Sequence, residues 1–158
     1  MKKWLTFVII ATIFVQFLMG CSTSKSVDFK QVYAEVIGFS DNDEKTKTIE
    51  NDEMLMMTNK EYQKFKDKNI SPRGIPMQSP DKEKAVVFIQ VPSKTSSVNT
   101  YSVKSVKVSN NILTVNLKKS SVAEVDGKSG FNGTWKWVML IELDKTDLKD
   151  NMKVVIKK

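Results

Sequence analysis

The chain opens on an apolar block, passes through a short polar stretch, and then settles into patterns with a period of two. From Leu5 to Met19 no residue is charged, and only Thr6, Thr12 and Gln16 are polar. Ser22-Thr23-Ser24-Lys25-Ser26 has no apolar period and predicts a flexible tether. Phe29–Phe39 places Val32, Ala34 and Val36 on one face and Tyr33 and Ile37 on the other, so it predicts a first strand. A second strand is expected over Lys47–Met57, ending in Met54-Leu55-Met56-Met57. Thr58-Asn59-Lys60-Glu61 then has the form of a capping box. It predicts one helix over Asn59–Lys68, with Tyr62 and Phe65 on its apolar side, Ile70 beyond its end, and Asn69 and Pro72 as stop signals. Pro72, Gly74, Pro76 and Pro80 mark an irregular loop.

The rest reads as β. Ala85–Val91 is a continuous apolar run, as expected of a strand buried on both faces, and Pro92 closes it. Tyr101 and Val103 have the opposite parity to Val106 and Val108, a slip that a period of two does not tolerate. A β-bulge near Lys104-Ser105 restores one face. Asn110-Asn111 then predicts a two-residue turn, because Asn tolerates positive φ. That turn sets Val108 opposite Leu113, Val106 opposite Val115 and Val103 opposite Leu117. Lys118–Gly133, with Gly127, Gly130 and Gly133, is expected to be irregular. Trp135, Trp137, Met139, Ile141 and Leu143 alternate along one face of a long strand, and Val138 and Leu140 suit cover on its other face. Asp144–Asn151 is a connection pinned by Leu148, and Met152, Val154 and Ile156 predict a last strand. The expected class is α+β: a mostly antiparallel β-sheet with one packed helix.

The apolar block is too short for a bilayer-spanning helix, which needs roughly 20 apolar residues. Met1-Lys2-Lys3 precedes it and Gly20 ends it, the form of a secretory signal peptide. The cut would fall before Cys21, the sole cysteine. Leu18-Met19-Gly20-Cys21 resembles the lipobox of bacterial lipoproteins. The resemblance implies a diacylglycerol on the Cys21 thiol, cleavage before it, and acylation of the new amine, with palmitate as the expected chain. Lipidation changes the membrane expectation from spanning to anchored. The chain therefore divides into a signal peptide (1–20), a lipidated tether (21–28) and one extracytoplasmic β-rich domain (29–158).

Composition narrows the chemistry. The chain holds 25 basic and 18 acidic residues. Lys2 and Lys3 leave with the leader, so the mature domain keeps a basic excess of five. Arg73 is the only arginine. Arg is favoured over Lys for bidentate phosphate and base contacts, so no nucleic-acid partner is expected. There is no histidine, and lipidation of Cys21 leaves no free thiol. His and Cys triads and most zinc sites are thereby excluded. Gly127-Lys128-Ser129 imitates the end of a phosphate-binding loop, but Val122 stands where the earlier glycine is required, so no nucleotide site is expected. Asp41-Asn42-Asp43-Glu44 is an acidic turn rather than a calcium loop, since Lys45 occupies a ligand position. No metal or other cofactor is expected.

Ala85-Val86-Val87-Phe88-Ile89, then Thr100-Tyr101-Ser102-Val103-Lys104-Ser105-Val106 and Leu113-Thr114-Val115, preceded by Glu61-Tyr62-Gln63-Lys64-Phe65, are similar to the PrcB-like family of protease-complex-associated domains. The likeness covers residues 50–158. Where that family has Gly-Gly before its Tyr-Ser-Val, this chain has Asn99-Thr100. The resemblance implies a small β-rich binding module that accompanies extracytoplasmic proteins, and no enzyme.

The reading that results is a lipid-anchored, non-enzymatic binding or adaptor module on the outer side of the cell membrane, with an envelope protein as partner. Trp135, Trp137 and Tyr101 are its candidate contacts, because Trp is enriched at binding hot spots. A second reading is a structural protein lying on anionic lipid or wall polymer through a Lys-rich face. A third, remote one is an envelope hydrolase in which Asp126 pairs with Glu124 or Glu142.

Overall fold

The computed structural model describes residues 24–40, 52–69, 79–93, 97–125 and 133–158. Among them lie β1 (Lys25–Val27), β2 (Phe29–Ser40), β3 (Glu53–Met56), α1 (Asn59–Asn69), β4 (Lys84–Ser93), β5 (Ser97–Ser109), β6 (Ile112–Glu124), β7 (Gly133–Asp144) and β8 (Lys153–Lys157). The leader, Cys21, the acidic turn at 41–44, Ile70, Pro72, Asp126 and Gly127-Lys128-Ser129 fall outside the described residues. The class is α+β, rich in antiparallel strands, with one helix among the described residues.

The strands form two four-stranded sheets. The first has the order β1-β5-β6-β8 and the second β2-β7-β4-β3. Neighbours run antiparallel except β6 and β8, because the chain passes through the second sheet as β7 between them. Between the sheets lies a core built from alternate residues of each strand. Val106, Leu113, Val115, Leu117 and Val154 come from the first sheet, and Val87, Ile89, Met139, Ile141 and Leu143 from the second. The intervening residues of β4 and β7 point to the other face of the second sheet. There Val86, Phe88, Val138 and Leu140 meet Tyr62 and Phe65 of α1. The rings of Phe65 and Phe88 sit 4.8 Å apart, tilted by 50°. The layers are therefore sheet, sheet, helix.

This layering explains the continuous apolar run at 85–91. The strand is covered on both faces, so neither parity is left for polar residues. Pro92 does not end it, as expected above, but lies inside β4 opposite Lys136. The Gln90 amide donates to the Asp52 carbonyl (2.7 Å), at the start of the β3 edge. Two residues on, the missing N–H of Pro92 would point the same way, past the end of β3, so no ladder bond is lost.

α1 begins as its sequence predicts. The Glu61 amide donates to Thr58 Oγ1 (3.2 Å), and Glu61 Oε2 accepts from the amides of Thr58 (2.9 Å) and Met57 (2.8 Å). The β5–β6 hairpin also takes the expected register: Val108 faces Leu113, Val106 faces Val115 and Val103 faces Leu117. The register slips between Val103 and Ser105, at the predicted bulge. Asn110 (φ 47°) and Asn111 (φ 63°) both occupy the left-handed region that such a tight turn requires.

Two expectations need correction. Within the tether expected over 21–28, Lys25–Val27 is β1, paired with Val106–Val108 of β5. One apolar residue accounts for it: Val27, 4 % exposed, enters the inter-sheet core. The segment from Lys118, expected to be irregular, instead continues β6 to Glu124. Polar residues on both faces hide that extension from any periodicity. It is held by its ladder to β5 and by the Thr100–Ser121 hydroxyl pair (2.7 Å).

Candidate functional site

β7 carries both tryptophans on the face that holds Met139, Ile141 and Leu143, so both are directed toward the first sheet. Trp137 lies in register between Val36 of β2 and Val91 of β4. Trp135, two residues nearer the strand start, lies between Gly38 and Ser93, which have two of the smallest side chains. Tyr101 approaches from β5, and both Tyr101 and Trp137 pack against the inter-sheet core. The fold thus brings Tyr101 and Trp137 into one cluster, with Trp135 next to Trp137 toward the end of the sandwich. All three are partly buried.

This arrangement divides their roles. Tyr101 and Trp137 close the mouth of the core and are primarily packing residues. Trp137 Nε1 is buried without a hydrogen-bond partner among the described residues. An unpaired buried donor costs free energy, so shape rather than polarity holds this indole. Trp135 is flanked by the small side chains of Gly38 and Ser93.

A second polar cluster on the helix-facing side of the second sheet escaped the sequence reading. Gln90, 2 % exposed, accepts from Lys136 Nζ at Oε1 (3.2 Å) and donates from Nε2 to Asp52 Oδ1 (3.4 Å). The same ammonium lies 4.9 Å above the centre of the Phe39 ring. Burial lowers the Lys136 pKa, and the Asp52 carboxylate opposes the shift. In sequence, Trp135-Lys136-Trp137 gives no sign of this, because a lysine between tryptophans reads as an ordinary outward residue. Gln90 thus bridges the Lys136 ammonium and the Asp52 carboxylate, and both ends of its buried amide are satisfied.

The two carboxylates considered as partners for Asp126 lie in different sheets. Glu124 ends β6 opposite Ser97, near the Trp135 end, whereas Glu142 pairs with Val86 in the other sheet. Seven residues of strand separate Trp135 from Glu142, roughly 23 Å. Asp126 is outside the described residues. Among those residues, no group of three or more His, Cys, Asp or Glu side chains could hold a metal ion. No helix among them is long and apolar enough to cross a membrane. The edges of β3 and β8 leave two shallow clefts of about 270 and 380 Å³. Asp52, Glu53, Lys153 and Lys158 give the larger one both signs of charge, with no set of groups converging on one ligand chemistry.

No protein-family model, curated protein or solved structure matches this chain, so its geometry and sequence are what a functional reading rests on.

Proposed function

We propose that this chain is a bacterial lipoprotein, held by lipid on Cys21 to the outer side of the cell membrane, whose domain is a non-enzymatic binding module. The observation that carries the reading is the closeness of anchor and fold. Leu18-Met19-Gly20-Cys21 ends only a few residues before β1 begins at Lys25. A segment that close to a core strand suits a domain held against a surface. The lack of histidine supports a binding role over a hydrolytic one. An envelope protein touching Trp135 is the partner this reading favours.

Intact-mass measurement of the full chain from its native membrane, beside Cys21→Ala, tests the anchor. The expected result is loss of residues 1–20 and added acyl mass on Cys21. An unprocessed chain of full mass would sink the reading. Cross-linking in the same membranes tests the contact: Trp135→Ala should capture less partner while melting like the parent. A loss of several kcal/mol, of the size seen when a buried aromatic is truncated to Ala, would make Trp135 core instead.

A further inference from the structure

Charge is distributed unequally between the sheets. The strands of the first sheet hold Lys104, Lys107, Lys118, Lys153 and Lys157, all exposed, besides Lys25 and Lys119. Against them stands one carboxylate, Glu124, at the far end of β6. The strands of the second sheet mix Lys30, Lys84 and Lys136 with Glu35, Glu53, Glu142 and Asp144. Register fixes where the first sheet's lysines point. Val106, Val154 and Ile156 face the core, so Lys107, Lys153 and Lys157, each next to one of them along its strand, face outward. Lys118, next to Leu117, does the same. No described element covers this face, whereas α1 covers the outer face of the second sheet.

The way the chain enters adds direction. β1 runs antiparallel to β5 with Lys25 opposite Val108, so its first residue lies at the end of the sheet that carries the Asn110-Asn111 turn. Cys21 stands four positions before Lys25 in the chain, a reach of at most roughly 14 Å. If Cys21 is lipidated, the edge of the first sheet is held close to the headgroups. Screening allows charge to act over about 8 Å at physiological salt. Ile112, 37 % exposed, sits at the same end beside Lys153 and offers an apolar contact.

We infer that the outer face of the first sheet lies on anionic phospholipid, with Lys104, Lys107, Lys118, Lys153 and Lys157 over the headgroups and α1 turned away from the membrane. Each lysine near an anionic surface adds about 1 kcal/mol of attraction, so the group together outweighs thermal reorientation of a tethered domain. The inference rests on the lipid-anchor reading of Cys21 and adds an orientation to it.

The test uses the full-length lipidated protein in phosphatidylcholine vesicles, with or without phosphatidylglycerol. A membrane-impermeant amine reagent labels its lysines, and mass spectrometry reads each site. With phosphatidylglycerol, labelling of the five lysines should fall by about tenfold, while Lys60, Lys64 and Lys66 of α1 stay reactive. High salt should restore the labelling. In a chain carrying Lys107→Gln, Lys118→Gln, Lys153→Gln and Lys157→Gln, flotation with the vesicles should persist and Lys104 should lose its protection. Protection of Lys104 in that chain would overturn the inference, as would equal labelling of both faces in a chain that floats. Protection by a soluble glycerol-phosphate polymer but not by the vesicles would assign the face to wall polymer and also overturn it. A chain that neither floats nor carries lipid on Cys21 overturns the anchor reading, and the orientation falls with it.

Discussion

The two sheets meet the same burial problem in different ways. The second sheet is covered on both faces, by the first sheet and by α1, and the centres of β4 and β7 are apolar at nearly every position. The first sheet is covered on one face, and β5, β6 and β8 alternate instead. Where both faces are buried, Lys136 holds its ammonium on Gln90 and over the Phe39 ring. Where one face is free, lysines collect on it at little cost, because their charged ends remain in water. Both sheets share the inter-sheet core, and the freedom to vary surface chemistry lies with the first.

The sharpest way to break this comparison is Phe88→Ala. Phe88 is fully buried between β4 and α1, so the truncation should cost about 3–5 kcal/mol in chemical denaturation. A loss below about 1 kcal/mol would mean that the helix-side layer is dispensable. Alkaline titration gives a smaller effect in the same sheet. The Tyr33 pKa is raised from 10.0 to about 12 by burial and by its hydrogen bond to Glu35 (3.1 Å). A raised folded pKa stabilises below the unfolded value, and that stability is lost as pH climbs through the folded one. Lys136, whose pKa is lowered by burial, acts oppositely: the fold gains as its amine deprotonates. Between pH 10 and 12 the parent should therefore lose stability relative to Tyr33→Phe, measured as the denaturation midpoint at each pH. Parallel curves for the two chains would show that burial of the Tyr33 hydroxyl carries no weight.

Thr58→Ala should cost about 1 kcal/mol, because α1 loses one half of its reciprocal cap. The smallest effect belongs to the first sheet's free face, where Lys107→Gln should change stability by less than about 0.5 kcal/mol. A larger change in thermal melting would mean that this face is built into the fold, and the contrast between the sheets would weaken.

The features legible in the sequence were local. The Thr58–Glu61 cap, the Asn110-Asn111 turn and the Lys104-Ser105 bulge each depend on residues close together in the chain, so patterning and turn chemistry located them. The doubly buried run at 85–91 was legible for the same reason: a strand without a polar parity has no face to give to water. Of the candidate contact residues, the alternation showed that Trp135 and Trp137 share a face, but nothing local showed that Trp137 and Tyr101 would meet.

Tertiary structure alone decided the rest. It made β1 a strand, since the polar segment around Val27 is ordered by the free edge of β5 and by one valine in the core. It split the strands into two sheets and set β8 parallel to β6, since pairing partners are chosen by packing across the sandwich rather than by spacing along the chain. It gathered Gln90 and Lys136 from two strands and Asp52 from the bend before a third, and it placed the lysines of β5, β6 and β8 on one uncovered face. Periodicity tells each strand which side chains share a face; only the assembled layers determine which of those faces meets water.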